Sequence, residues 1–165
     1  MPDALSEISI IPYSPEYREG CMAAFVSNTP KYFTHQEIDQ FREWLDYIEG
    51  ISIDLYPGEE NRYFVVLQGQ QVIGCGGFGY NPSTKKATLA WGLVHNDHHK
   101  QYVGSALLTH RLNRIGALFP QATVLLDTTQ HAYAFFERHG FEVEKITNDA
   151  YAPGMHRYDM KWQKK

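Results

Sequence analysis

The chain has 165 residues, 43% of them hydrophobic and 21% charged, which suits one globular domain spanning 1–165 and excludes a disordered chain. Its net charge of −4 and pI near 6.0 argue against a protein held to nucleic acid by phosphate contacts. No apolar run reaches the roughly 18 residues of a membrane span, no basic-then-apolar leader opens Met1 to Glu7, and Cys21 and Cys75, far apart and without metal-site spacing, read as buried reduced thiols of a cytoplasmic protein.

Ile8 to Ile11 is a β-branched run and the first expected strand. Ser14-Pro15 then offers an N-cap with proline at the first helical position, followed by Tyr17, Cys21, Ala24 and Phe25 at helical spacing. Thr34 and Glu37 form a capping box for a second helix, whose apolar face is Ile38, Phe41, Leu45 and Ile48. Tyr63 to Leu67, a turn at Gln68-Gly69 and Gln71 to Gly77 make a hairpin. Ala87 to Val94 is a further strand, and Gly104 to Phe119 a helix with Leu108, Leu112, Ile115 and Phe119 on one face. Thr123 to Asp127 reads as a buried strand and His131 to Arg138 as a helix closed by Gly140. Strands at Phe141 to Ile146 and Arg157 to Trp162 finish the chain, with a turn at Pro153-Gly154. The order β-α-α-β-β-β-α-β-α-β-β predicts a mixed α/β layer fold with helices on both faces of one sheet.

The chemistry concentrates between Trp91 and Ser105. A strand ends near Val94, and about ten residues later a helix opens at Gly104. That helix start presents unpaired backbone N–H groups and roughly half a positive charge, which suits a pyrophosphate. Gly104 lets a phosphate approach the backbone, Ser105 adds a hydroxyl and Lys100 a mobile positive charge.

Here the chain resembles the GNAT family, the Gcn5-related N-acetyltransferases. The family's Gln/Arg-x-x-Gly-x-Gly/Ala motif falls on His99-Lys100-Gln101-Tyr102-Val103-Gly104, followed by the helix start at Ser105. Thr129 to Phe141, with Ala132, Phe136, Glu137, Gly140 and Phe141, resembles the family's second block. The resemblance implies a GNAT-like mixed α/β fold with a central twisted sheet, and acetyl-CoA as co-substrate. It implies that backbone of Leu93 and Val94 pairs with the pantetheine arm, that the Val94 amide stabilises the oxyanion, and that amides from His99 to Ser105 hold the pyrophosphate. Phe136 lies beside the thioester on the same grounds. His99 stands where the family has Gln or Arg. Tyr102 stands where it has glycine, and is expected to offer its N–H with φ negative.

Acetyl transfer needs a neutral amine, an oxyanion donor and an acid for the leaving thiolate. The family often places that acid on a tyrosine where this chain has Phe136; Tyr133, one turn earlier, is the candidate substitute. The inward face Thr88, Ala90 and Gly92 carries no base, so Asp127 at the end of a strand is the candidate to bind or deprotonate the amine. His131 is a lesser candidate, and deprotonation through water needs no further base. Tyr32, Phe33 and His35 between the early helices, and Tyr151 in the late loop, are expected to shape the acceptor site. The histidines and aspartate of His95-Asn-Asp97-His98-His99 are too close together to converge on a metal, and none is expected. The expected activity is N-acetylation of a small or amino-acid-like primary amine, with a homodimer allowed; a non-catalytic acyl-CoA sensor and a metal-dependent hydrolase are the rivals.

Overall fold

The computed structural model describes residues 8–52, 54–99 and 102–163. Seven strands form one sheet in the order β1-β2-β3-β4-β5-β7-β6. They are β1 Ile8–Pro12, β2 Glu60–Gln68, β3 Gln71–Asn81, β4 Lys86–Val94, β5 Thr123–Thr128, β6 Phe141–Ala152 and β7 Met155–Trp162. Helices α1 (Arg18–Val26), α2 (Glu37–Ile48), α3 (Val103–Leu118) and α4 (Tyr133–Arg138) connect them in the expected order. Neighbouring strands run antiparallel except β4 and β5, which are parallel and joined by the α3 crossover.

Strand alternation sorts the core into two layers. On one face Tyr63, Val65, Cys75 and Leu93 pack against Phe25 of α1 and Phe41, Trp44 and Leu45 of α2. On the other, Phe64, Phe78 and Leu126 meet Leu108 and Ile115 of α3, with Phe135 and Phe136 of α4 at the margin. Cys21 and Cys75 are buried, unbridged thiols. Among the described residues, no helix is long and apolar enough to cross a membrane.

The local signals act through identifiable bonds. Thr34 N–H donates to Glu37 Oε1 at 2.9 Å and Glu37 N–H to Thr34 Oγ1 at 3.2 Å, a reciprocal capping box ahead of α2. Gln68 opposes Gln71 across a two-residue turn whose Gly69 has φ +63°. Pro15 opens only a 3₁₀ turn, because the Ser14 hydroxyl bonds the Glu16 carboxylate instead of a helix amide; α1 starts at Arg18. α4 begins at Tyr133 rather than His131, since the Thr129 carbonyl first closes a turn with Ala132 and Tyr133. The last hairpin is longer than its apolar pattern suggests: β6 runs on to Ala152 and β7 starts at Met155. Its outer half, Thr147 to Ala152, is edge strand exposed at Asn148, Asp149 and Ala150, where small and polar residues give no period-2 signal.

Candidate active site

The site begins where the sheet splits. β4 pairs with β5 only at Lys86–Thr123, Ala87–Val124 and Thr88–Leu125. Beyond that β4 continues to Val94, while the end of β5 pairs with β7 alone, leaving a gap between the two strands. His95 N–H bonds the Ile73 carbonyl of β3 at 2.8 Å. By the alternation of an antiparallel ladder, the polar groups of Leu93 face β3, while those of Val94 and, across the peptide to Leu93, the Gly92 carbonyl face the gap. The Val94 carbonyl is already taken, by Asn28 Nδ2 and His99 Nε2, each at 2.9 Å.

A bulge bends β4 into this position. From Cys75 to Gly77 β3 advances two residues, while β4 advances three, from Leu93 to Ala90. Trp91 sits in the extra step with φ +45°. Its ring packs among Phe25, Phe33 and Phe41 at centroid distances of 5.7, 6.2 and 5.6 Å.

The gap leads to the start of α3. Its N-cap, Tyr102, makes no side-chain cap, and the first helical bond runs from Ala106 N–H to the Tyr102 carbonyl at 3.1 Å. The N–H groups of Val103, Gly104 and Ser105 therefore precede the helical ladder. The expectation of negative φ at Tyr102 is overturned: φ is +60°, because the chain must turn sharply into the helix where the family pattern has glycine. Tyr102 is 71% exposed, so this conformation costs no packing. Gly104 faces Phe135, which lies 3.4 Å from where a β-carbon would stand. Ser105 Oγ pairs with His139 Nε2 at 3.1 Å, and His139 Nδ1 pairs with the Phe135 carbonyl at 2.8 Å. The carbonyl draws the hydrogen of Nδ1, and the Ser105 hydroxyl is turned to Nε2 of the same ring, at the end of α4. Lys100 and Gln101 lie outside the described residues.

Across the gap, Asp127 ends β5. Tyr151 donates to its Oδ2 at 2.5 Å, and Arg157 Nη2 lies 3.7 Å from Oδ1. Burial, then the Asp127 charge, pushes the Tyr151 phenol well above its usual range, so Tyr151 keeps its proton. Glu37 is raised by burial and, more weakly, by Asp127. Tyr133 is stacked on Tyr158 at 4.4 Å, and Phe136 meets Phe141 edge-on at 5.8 Å. Tyr32 sits edge-on to His99 at 5.2 Å and His131 at 6.1 Å, while Phe33 stacks on Phe25 at 4.4 Å as part of the core. A cavity of about 410 Å³ lies between the α1–α2 connection and the β6–β7 turn, lined by Lys31, Thr34, His35, His131 and Met155 among others.

Sequence reasoning missed four contributors. Asn28 and Ser27 fasten the end of α1 to the site, through the Val94 carbonyl and through Asn96 N–H at 2.9 Å. Gly92, not Leu93, shares the gap edge with Val94; counting alternate residues back from Val94 would have found it. Arg111, 4% exposed, lies under the bulge; its signal was its place in the apolar stripe of α3, between Leu108 and Ile115.

The family model described as acetyltransferase (GNAT) domain matches residues 59–143. No curated protein matches. Solved structures share the fold at low identity. A proposed acetyltransferase of the GNAT family from Desulfovibrio desulfuricans has TM-score 0.75 and 18% identity, over 94% of this chain and 98% of that one. The ribosomal-protein-S18-alanine N-acetyltransferase of Escherichia coli has TM-score 0.70 and 17% identity, over 94% and 92%. An aminoglycoside 6′-N-acetyltransferase complexed with coenzyme A has TM-score 0.68 and 13% identity, over 93% and 95%.

Proposed function

The chain belongs to the GNAT family of acetyltransferases, and on that premise we propose that it transfers an acetyl group from acetyl-CoA to the primary amine of a small, amino-acid-like acceptor, by direct attack in a ternary complex. The observation that carries the reading is the gap between β4 and β5, with the Val94 N–H facing into it and the uncapped start of α3 at its end.

These features fit the co-substrate chemically. An extended pantetheine arm donates an amide hydrogen, strand fashion, to the Gly92 carbonyl, the Val94 carbonyl being taken. A diphosphate takes the amides of Val103, Gly104 and Ser105. When bound, acetyl-CoA supplies the activated thioester. The Val94 N–H donates to the carbonyl oxygen as it gains charge. Asp127 holds the incoming ammonium and accepts its proton directly or through water, with Tyr151 and Arg157 fixing the carboxylate. Tyr133 remains the candidate donor to the departing sulfur. Lys31, His35 and His131 line the adjoining cavity, which among its lining residues has no carboxylate. That lining favours an acceptor carrying an anionic group beside its amine. The aminoglycoside enzyme of the same fold acts on a small amine by its name.

Calorimetric titration with acetyl-CoA tests the first half. Binding is expected for the native chain and is lost in Gly104→Leu, whose side chain meets Phe135, with folding checked by the melting temperature. Retained affinity in that variant removes the pyrophosphate assignment. Release of free thiol with a panel of amines tests the second half, amino acids being expected to outrun their decarboxylated counterparts. The absent hydroxyl at Phe136 favours a second reading, a non-catalytic acyl-CoA-binding module; binding with no thiol release for any amine supports it.

A further inference from the structure

Arg111 is a cation buried without an ion pair. It is 4% exposed, and among the described residues no carboxylate pairs with it. Its Nη1 donates to the Gly77 carbonyl at 3.3 Å, and its buried Nε has no partner among the described residues. Burial pushes its pKa down to about 10, so it stays charged near neutrality. An unpaired buried charge is costly, and an apolar residue of similar size on α3 would make a more stable core. The surrounding backbone is nonetheless shaped to admit it. A β-carbon on Gly92 would stand 2.7 Å from Nη2, and one on Gly76 would stand 3.3 Å from Cζ.

Both glycines and Gly77 lie at the β3–β4 bulge. The opposite face of the sheet supplies a second donor there: the Tyr63 hydroxyl bonds the Trp91 carbonyl at 2.7 Å. Tyr63 belongs to the layer under α1 and α2, whereas Arg111 comes from α3. One side chain from each layer therefore holds a backbone carbonyl at the break, Gly77 on β3 and Trp91 on β4.

We propose that Arg111 and Tyr63 are positioning residues that clamp the bulge from opposite faces and so aim the Gly92 carbonyl and the Val94 N–H into the gap. An extra residue in a strand has alternative registers, and Trp91 is held at a φ that favours glycine. The two donors select one register. Neither residue is assigned contact with acceptor or thioester; Arg111 acts through β3 and Tyr63 through β4, at the one bulge. The kinetic consequence rests on the acetyl-transfer reading above, whereas the backbone consequence does not.

The test uses the full chain with Tyr63→Phe, Arg111→Lys, Arg111→Met and the double variant Tyr63→Phe/Arg111→Lys. Thermal melts report folding, amide ¹H–¹⁵N resonances report the backbone, and kcat and KM report the reaction. Expected are folded Tyr63→Phe and Arg111→Lys proteins in which the Gly92 and Val94 resonances move while those of β6 and β7 stay. The kcat falls about tenfold or more with acceptor KM little changed, since an ångström of misplacement is enough for such a loss. The double variant loses less than the product of the single losses, because both residues support one bulge. Should Arg111→Met not fold, Tyr63→Phe, which removes a single hydroxyl, decides the matter with Arg111→Lys. Unmoved Gly92 and Val94 resonances in both, or activity that falls only with the unfolded fraction, overturn the clamp. If the native chain acetylates no amine, the function fails separately, and the resonances still decide the clamp.

Discussion

His110 shows what burial does to a single titrating group. It lies on α3 with its ring edge-on to Phe64 at 4.6 Å, and its buried Nε2 has no partner among the described residues. Burial, followed by the charges of Arg114 and Arg111, holds its pKa below the usual histidine value. The folded protein thus keeps the ring neutral, while the unfolded chain takes a proton near pH ~6.5. Its contribution is present above that pH and is lost as pH falls through it toward the folded pKa. Melting temperatures followed from about pH 7 to 5 are expected to drop less steeply in His110→Gln than in the native protein. Equal slopes would show that the ring charges freely in the fold.

At the scale of elements, the end of α1 and the end of β4 form one unit. Asn28, 4% exposed and just past α1, donates both to Ala24 of that helix and to Val94, each at 2.9 Å. Asn28→Ala removes both bonds, leaving Ser27 Oγ on the Ala24 carbonyl and His99 on that of Val94, and is expected to cost about 1–2 kcal/mol, a fall of several degrees in Tm. Acetyl-CoA affinity is expected to fall with it, and unchanged affinity would separate α1 from the site. The order of elements was readable because Gly69, Gly140 and the Pro153-Gly154 turn punctuate it. The start of α3 was readable for the same reason, through Gly104. What escaped were contacts between segments remote in sequence. Asn28 meets Val94 66 positions away, and Arg111 meets Gly77 34 positions away. On a helical wheel Arg111 falls on the apolar face of α3, three residues after Leu108 and four before Ile115, and the approach of Gly76 and Gly92 shows how a guanidinium fits there beneath the sheet. Tyr102 likewise gave no hint of its left-handed turn, since tyrosine rarely adopts one.

For the molecule as a whole, the two layers meet the site differently. The α1–α2 layer supplies aromatic walls around Trp91, with Phe25 and Phe41 buried outright. The α3–α4 layer supplies the helix start, Phe135 and the Arg111 guanidinium. Asp127 and Tyr151 come from the far strands, so every part of the proposed chemistry is assembled across the split.

That split has a mechanical consequence. Among the described residues, three residue pairs of parallel ladder are all the strand pairing that joins the β1–β4 half of the sheet to the β5–β7 half. A chain-like guest lying in the opening would complete the missing rungs and act as mortar between two leaves of a hinge. Amide hydrogen exchange along β5 and the distal part of β4 is therefore expected to slow together when acetyl-CoA is added, well beyond the residues in direct contact. Protection confined to Gly92, Val94 and the first turn of α3 would mean that the short seam already locks the leaves.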